Sequence, residues 1–311
     1  MPEFLSDIPA SFPPSAIVTG SFDGLHRGHR FLINRLIDIA RKKNLQAVVF
    51  TFEPHPVQIL NPHKAPPLLT TPEERKKIFS GIPVDKVIFY PFSNEFAKLT
   101  GKNFLSFLKK HYNLRHLVIG YDHSFGSDRL ANPGDIRQTA AQMNISVSFV
   151  PPKQDEEGEI ISSSRIRKLI NEKKITQANS LLGYEYMISG KVIHGSKFGR
   201  QIGFPTANLS ITNKHKLIPP SGVYFVQVDI GDKTYPGIMN IGKKPTVNTQ
   251  NRHILPEVHL LRFQGDLYDK NIFVRLKKFH RPEKKFDNVN RLQKQIAMDA
   301  EEAKKYFQKQ K

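Results

Sequence analysis

A chain of 311 residues, 39% apolar and 24% charged, is long for one hydrophobic core and too apolar to remain disordered, so two folded domains are expected. The absence of cysteine excludes a disulfide framework and a cysteine-ligated zinc site. Met1-Pro2-Glu3-Phe4-Leu5-Ser6-Asp7 carries early acids and is not a signal peptide, and no stretch approaches the roughly 20 apolar residues of a bilayer span, so a cytoplasmic protein without a membrane partner is expected.

The first half alternates short apolar strands with amphipathic helices. Ala16-Ile17-Val18-Thr19-Gly20 reads as a strand entering a glycine turn. Residues 29–43 read as a helix, with Leu32, Ile33, Leu36, Ile37 and Ala40 on one face. A strand at residues 47–52 follows, and Thr71-Pro72-Glu73-Glu74 opens another helix by its cap signals. Strands at 86–90, 117–120 and 146–150 alternate with helices at 104–111 and 134–143, the pattern of a doubly wound parallel sheet. After about Tyr186 helical periodicity disappears until residue 288. Runs such as Gly222-Val223-Tyr224-Phe225-Val226-Gln227-Val228 and Glu257-Val258-His259-Leu260-Leu261, punctuated by glycine and proline, predict a small β-barrel, closed by a helix over 288–308. The expected domains are 1–185 and 186–311.

The net charge of +19, heavier in the second half, favours polyanions: nucleotides, nucleic acid, or simply a lysine-rich soluble surface. No helix-turn-helix, RNP or zinc motif is present, and basic runs such as Lys173-Lys174 and Lys277-Lys278 are short. Small phosphorylated molecules are therefore expected as partners rather than nucleic acid. Oligomeric state is left open, with at most weak self-association expected.

Gly20-Ser21-Phe22-Asp23-Gly24-Leu25-His26-Arg27-Gly28-His29 lies between the first strand and its helix. Ligands of open α/β sheets bind at the carboxyl ends of strands, where a helix N-terminus offers free N–H groups and a positive partial charge. Gly20, Gly24 and Gly28 allow a phosphate to come close to the backbone, and His26 and His29 add donors. Nucleotidyl transfer builds negative charge on α-phosphate oxygens, which such donors stabilise. A plain glycine turn with two surface histidines is the simpler alternative. A metal pair is disfavoured because no carboxylate-rich partner motif is visible. Farther on, Ile161-Ser162-Ser163-Ser164-Arg165-Ile166-Arg167 places serine caps before two arginines, against the helix-dipole preference for acids. An anion such as the ATP phosphates would resolve that conflict, with Arg167 clamping the leaving pyrophosphate. An exposed basic helix start is the alternative.

Together these segments resemble the adenylyltransferase module of the prokaryotic bifunctional FAD synthetase family, in the HxGH nucleotidyltransferase superfamily. Thr51-Phe52-Glu53-Pro54-His55-Pro56, Phe92-Ser93-Asn94-Glu95-Phe96-Ala97 and Gly120-Tyr121-Asp122-His123-Ser124-Phe125-Gly126 agree with it. The resemblance implies ATP binding by Gly20, Phe22, Asp23, Gly24, Gly28, Ser163, Ser164 and Arg165. It implies a pocket for flavin mononucleotide (FMN) at Phe52, His55, Asp122 and Phe125. The chain departs from the family at His123-Ser124, where Phe-Arg is common, and at Ser164, where threonine is usual.

The second half carries Gly190-Lys191-Val192-Ile193-His194-Gly195 and Gly199-Arg200-Gln201-Ile202-Gly203-Phe204-Pro205-Thr206-Ala207-Asn208, glycine-rich but without a Walker A ending. Tight turns explain such glycines as readily as a phosphate site. Thr206 and Asn208 alternate on one strand face and offer two oxygen ligands, suited to Mg²⁺, which takes few protein ligands. Glu257, in an apolar strand after Pro256, either pairs with a base or acts as one. With Asn240-Ile241-Gly242-Lys243-Lys244-Pro245-Thr246, Asp266-Leu267-Tyr268, Arg281-Pro282-Glu283-Lys284-Lys285-Phe286 and Gln295-Ile296 with Asp299, these pieces resemble the family's riboflavin kinase module. Lys243, and Asp269 in place of a frequent glycine, are small departures. By that resemblance, Thr206 and Asn208 hold Mg-ATP. Gly190, Lys191, His194, Gly199, Arg200 and Gly203 line its site. Glu257 takes a proton from the ribityl 5′-hydroxyl, and Arg281 sits near the flavin phosphate. Riboflavin and ATP would give FMN in the barrel; FMN and ATP would give FAD and pyrophosphate in the first domain. Transfer to another acceptor, such as a phosphopantetheine or a nicotinamide nucleotide, is the competing chemistry for the first domain, and the attached kinase-like barrel argues against it.

Overall fold

Six strands form a parallel sheet: β1 (Glu3–Leu5), β2 (Ser15–Thr19), β3 (Gln46–Glu53), β4 (Lys86–Pro91), β5 (Leu114–Gly120) and β6 (Ser146–Val150). The computed structural model describes residues 1–8, 10–121, 125–128, 130, 132–195, 198–243 and 254–309. Strands covered by helices on both faces need apolar side chains throughout, and Ala16, Ile17, Val18, Val48, Val49 and Phe50 are all buried. The order is β1-β4-β3-β2-β5-β6. From β2 the chain winds outward through β3 and β4, then returns to the other side of β2 for β5 and β6. That reversal opens a crevice at the carboxyl ends of β2 and β5, where the glycine turn begins.

The helices of this half are α1 (Arg27–Lys42), α2 (Pro56–Leu60), α3 (Pro72–Phe79), α4 (Asn94–Ala97), α5 (Gly101–Tyr112) and α6 (Pro133–Ala141). Ile33, Leu36, Ile37 and Ala40 form the buried face of α1, as their spacing requires. The helix starts at Arg27, two residues before the sequence expectation, because the His26 side chain caps it. A core centred on Phe50, Phe104, Leu105, Leu108 and Tyr112 fills the space under α5.

Helices α7 (Ser163–Asn171) and α8 (Ile175–Leu182) precede six antiparallel strands: β7 (Met187–Ile193), β8 (Ala207–Ser210), β9 (Gly222–Ile230), β10 (Lys233–Lys243), β11 (Ile254–Leu260) and β12 (Asn271–Arg281). They close as β10-β11-β8-β7-β12-β9, which leaves no open sheet edge. Short α9 (Phe198–Gln201) lies between β7 and β8, and α10 (Val289–Gln308) packs Ala300 and Ala303 against Val223, Phe225 and Ile238. By contacts the chain forms two units, Met1–Leu68 with Arg75–Ser163, and Leu69–Glu74 with Ser164–Lys311. Strands replace helices after residue 186, but most of α7 and all of α8 group with the barrel. Asn179 on α8 donates its side-chain amide to the Leu276 carbonyl at 2.8 Å and accepts from the Tyr186 backbone at 2.8 Å.

The second unit contains a fully buried ion pair. Lys216 and Glu74 side chains are both 0% exposed, with Nζ 2.6 Å from Oε2. Lys216 also donates to the carbonyls of Leu69 at 2.6 Å and Met187 at 2.7 Å, and lies over the Tyr186 ring at 4.3 Å. Glu74 accepts from the backbone of Thr71 at 3.0 Å and of Ser189 at 2.7 Å. Every proton of the ammonium is matched, so removing one partner strands the other charge away from water. Lys216→Met is expected to lower stability by about 3–5 kcal/mol, measured by urea unfolding; a loss below about 1 kcal/mol would show that Glu74 finds another partner.

Candidate active sites

Beyond β2, the chain makes its last ladder bond from the Gly20 N–H to the Phe50 carbonyl at 3.1 Å. It then coils through positive φ at Phe22 (48°), Gly24 (81°) and Leu25 (36°) before entering α1. The His29 backbone N–H donates to His26 Nδ1 at 3.3 Å. In neutral His26 this acceptor role puts the proton on Nε2, leaving that atom a donor. Gly28 leaves room for this arrangement: a Cβ there would crowd the His26 ring at 3.1 Å and the Ile161 carbonyl at 3.2 Å. The His26 and His29 rings stack with centroids 3.7 Å apart, and Phe22 meets His29 edge-on at 5.3 Å. His29 keeps some exposed surface, but its Nδ1 is buried and has no hydrogen-bond partner among the described residues. Burial lowers its pKa from 6.5 to about 3. His29 is therefore held as a neutral imidazole, not a cation, at the N-terminus of α1.

A cavity of about 350 Å³ opens beside the turn, lined by Gly20, Ser21, Phe52, His55, Phe96 and Phe125 among others. Of the sequence-predicted residues, the structure brings Gly20, Phe52, His55 and Phe125 onto this one wall. His26 and His29 are not on the wall but follow the same turn. His55 caps α2 by accepting from the Val57 N–H at 3.2 Å. Asp122, with His123 and Ser124, lies outside the described residues. Phe92, Phe96 and Phe104, assigned no site role by sequence analysis, complete an aromatic lining. Asp23 is buried, and its carbonyl accepts from the Ser163 hydroxyl at 2.9 Å, which ties the start of α7 to the glycine turn. Ser164 is exposed, and Arg165 and Arg167 are half-buried on α7.

In the barrel, register places Glu257 between Asn208 on β8 and Asn240 on β10. Directly paired residues share a face, so these three side chains form a row across three strands. That row faces a cavity of about 450 Å³, whose lining includes Gly199, Thr206, Asn208, Asn240, Glu257 and Arg281. Asn208 is buried, and its Oδ1 has no partner among the described residues. A Cβ at Gly195 would lie 2.1 Å from Asn208 Nδ2, so that glycine makes room for the asparagine. Arg281 is fixed by a forked pair to Asp299, Nη2 to Oδ2 at 2.6 Å and Nε to Oδ1 at 2.9 Å. Burial pushes the Asp299 pKa up, but hydrogen bonds from Arg281 and Gln295 and the nearby His280 outweigh it and hold the carboxyl below its usual range. His259 also lines the cavity and donates from Nδ1 to the Pro205 carbonyl at 2.8 Å; burial lowers its pKa.

Of the other residues named for the kinase nucleotide, Arg200, His194 and Lys191 gather around the turn at residues 266–269. Arg200 and Thr206 share a smaller cavity of about 90 Å³ with Asp266 and Tyr268. The His194 ring lies 3.8 Å from that of Tyr268. Lys191 pairs with Asp269 at 2.8 Å. Gly190 has a packing reason, since a Cβ there would lie 2.6 Å from the Ser210 carbonyl. Gly203 takes φ +82° with open space around it.

Two family models match successive parts of the chain. The FAD synthetase family model matches residues 8–165, and the riboflavin kinase model matches residues 182–307. The bifunctional riboflavin kinase/FMN adenylyltransferase of Escherichia coli K12 is 39% identical over 295 residues, covering 94% of this chain and 92% of its own. That of Buchnera aphidicola subsp. Schizaphis graminum is 38% identical over 296 residues, covering 94% of each. A crystal structure described as a macrolide-efflux protein from Streptococcus pneumoniae superposes with a TM-score of 0.85 at 34% identity, covering 96% of both chains. In the chain itself, no helix among the described residues is long and apolar enough to cross a membrane. The two family models, in this order, and relatives of 38–39% identity over nearly the whole length place the chain in the bifunctional riboflavin kinase/FMN adenylyltransferase family, whose members make FMN from riboflavin and ATP and then FAD from FMN and ATP.

Proposed function

We propose that residues 186–311 phosphorylate riboflavin at the Asn208–Glu257–Asn240 row, and that residues 1–185 adenylylate FMN at the glycine turn and its aromatic cavity. The observation that carries the kinase assignment is the buried, unpartnered Asn208 Oδ1 one strand from a carboxylate. Glu257 takes the proton of the ribityl 5′-hydroxyl as its oxygen attacks the γ-phosphorus of ATP and ADP leaves. Asn208 Oδ1 and the Thr206 hydroxyl suit a hard cation such as Mg²⁺, which takes oxygen ligands and completes its shell with phosphate and water. Bound there, Mg²⁺ would neutralise phosphate charge. Gly199, Arg200 and Gly203, with Gly190, Lys191 and His194, are assigned to the nucleotide, and Arg281, held by Asp299, to the flavin side.

In the first domain, Phe52, His55 and Phe125 would hold the flavin, with Asp122 assigned there from sequence alone. An FMN phosphate oxygen attacks the α-phosphorus while His26 and His29 donate to the oxygens gaining charge. Gly20, Phe22, Asp23, Gly24, Gly28, Ser163, Ser164 and Arg165 are assigned to ATP, and Arg167 to the departing pyrophosphate. The basic balance suits these phosphates rather than a nucleic-acid surface. A cytoplasmic location and at most weak self-association accompany the proposal.

The test is incubation of the purified chain with riboflavin and Mg-ATP, followed by chromatographic separation of flavins. FMN and FAD should both appear, and chelation of Mg²⁺ should stop both. Absence of both flavins under Mg-ATP would overturn the proposal, and FMN alone would overturn its first-domain half.

A further inference from the structure

The Arg75 side chain, only 4% exposed, lies behind the glycine turn and does not itself line the proposed FMN cavity. Its Nη1 donates to the Ser21 carbonyl at 2.7 Å and to Thr51 Oγ1 at 3.4 Å. Its Nη2 donates to the Phe52 carbonyl at 3.3 Å and to the Glu53 carboxylate. The guanidinium carbon sits 5.3 Å from the centroid of the Phe89 ring. The Ser21 carbonyl also accepts from the Thr51 hydroxyl at 3.2 Å. Ser21 belongs to the turn that leads to the histidines, whereas Phe52 forms the flavin side of the cavity, and both line it. Among the described residues, the β2–β3 ladder ends with the bond from Gly20 to Phe50. Beyond that point, the Arg75 guanidinium and the Thr51 hydroxyl both join the turn to the end of β3.

We propose that Arg75 is a positioning residue for FMN adenylylation, fixing the distance between the phosphate-binding turn and the flavin-binding end of β3. The inference rests on the placement of that site at the turn and aromatic cavity. The reaction needs an FMN phosphate oxygen in line with the α-phosphorus, so each substrate can bind normally and still fail to react if the two walls shift. The guanidinium fork serves two carbonyls and a carboxylate in fixed geometry; a lysine ammonium cannot reproduce that plane. The buried cation–aromatic contact with Phe89 further fixes the plane.

The test is Arg75→Lys in the full-length protein, with the riboflavin kinase reaction of the same molecule as the control for folding. A displacement near 1 Å can cost on the order of 100-fold, so kcat for FAD formation should fall about 30- to 100-fold. Equilibrium binding of FMN, followed by flavin fluorescence, and of ATP should stay near wild type, as should the kinase rate. A smaller drop in the same direction is expected for Thr51→Val, which keeps shape and removes the hydroxyl that shares the Ser21 carbonyl. A wild-type kcat in Arg75→Lys, or a loss of FMN and ATP affinity that accounts for the whole drop, would overturn the inference. Should Arg75→Lys fail to fold, Thr51→Val decides: an unchanged kcat overturns it. His29→Ala separates the two levels. If it abolishes FAD formation while Arg75→Lys does not, only the positioning role fails; if His29→Ala is also fully active, the site assignment fails with it.

Discussion

Glu257→Gln is expected to lower riboflavin phosphorylation by about 10³-fold, within the range for loss of a general base, and to leave FAD formation from supplied FMN at the wild-type rate. Glutamine keeps the size of the side chain and its place between Asn208 and Asn240, so the barrel should fold as before. What it lacks is a site for the proton of the attacking hydroxyl. A carboxylate that served only as a structural partner would tolerate the amide, because the row is already made of amide neighbours. The measurement is a pair of chromatographic assays, one started from riboflavin and one from FMN. Retention of more than about a tenth of the kinase rate would remove Glu257 from the role of base. A matching loss in both assays would mean that the substitution acts on the whole chain rather than on the barrel site.

The parallel sheet was legible because strands buried on both faces read as unbroken apolar runs, and α1 because its buried residues recur at helical spacing. Thr71 and Glu74 were legible as a cap, since a threonine followed three residues later by glutamate satisfies the helix start in both directions. What Glu74 does beyond that was not legible. Its partner Lys216 is 142 residues away, and only the closed fold brings them together. The same holds for the row in the barrel: sequence showed Asn208 and Glu257 as separate candidates, and strand register made them neighbours. Cap chemistry misled at α1, where histidine stands in for the usual serine, threonine or aspartate and the helix begins earlier than its apolar pattern suggests. Glycines were the least decisive signal. Gly28 leaves room for the His26 ring, Gly195 for Asn208, and Gly190 only for a neighbouring strand; one letter carries all three meanings, and only the nearby atoms distinguish them. Arg75 escaped notice because a lone arginine in a charged helix start has no motif; its value lies in three backbone and side-chain partners contributed by other elements.

His29→Ala should lower kcat for FAD formation by about 10²- to 10³-fold, the scale for removing a donor to developing negative charge, with riboflavin phosphorylation unchanged. The charge state of His29 makes the role more specific. With a pKa of about 3 in the folded protein against 6.5 for a free imidazole, the ring is neutral across the range in which enzymes of this kind are assayed. In the proposed reaction it would act as a neutral hydrogen-bond donor, not as a cation that neutralises phosphate. The imidazole ¹⁵N shifts of the ligand-free protein should report a neutral His29 at pH 5; a protonated ring at that pH would defeat this account. The sign of the stability effect follows from the same shift. Below pH 6.5 the unfolded chain takes up a proton that folded His29 refuses, so the folded state loses stability as pH falls toward 3. His29→Asn, which cannot titrate, should lose less stability between pH 6.5 and pH 4 than wild type does, measured by urea unfolding at the two pH values. Bound ATP should act in the opposite direction, since phosphate charge beside the ring favours its protonated form. A His29 pKa that rises on adding ATP would place the ring at the phosphates independently of any rate measurement, and one that ATP leaves unmoved would remove it from the reacting centre.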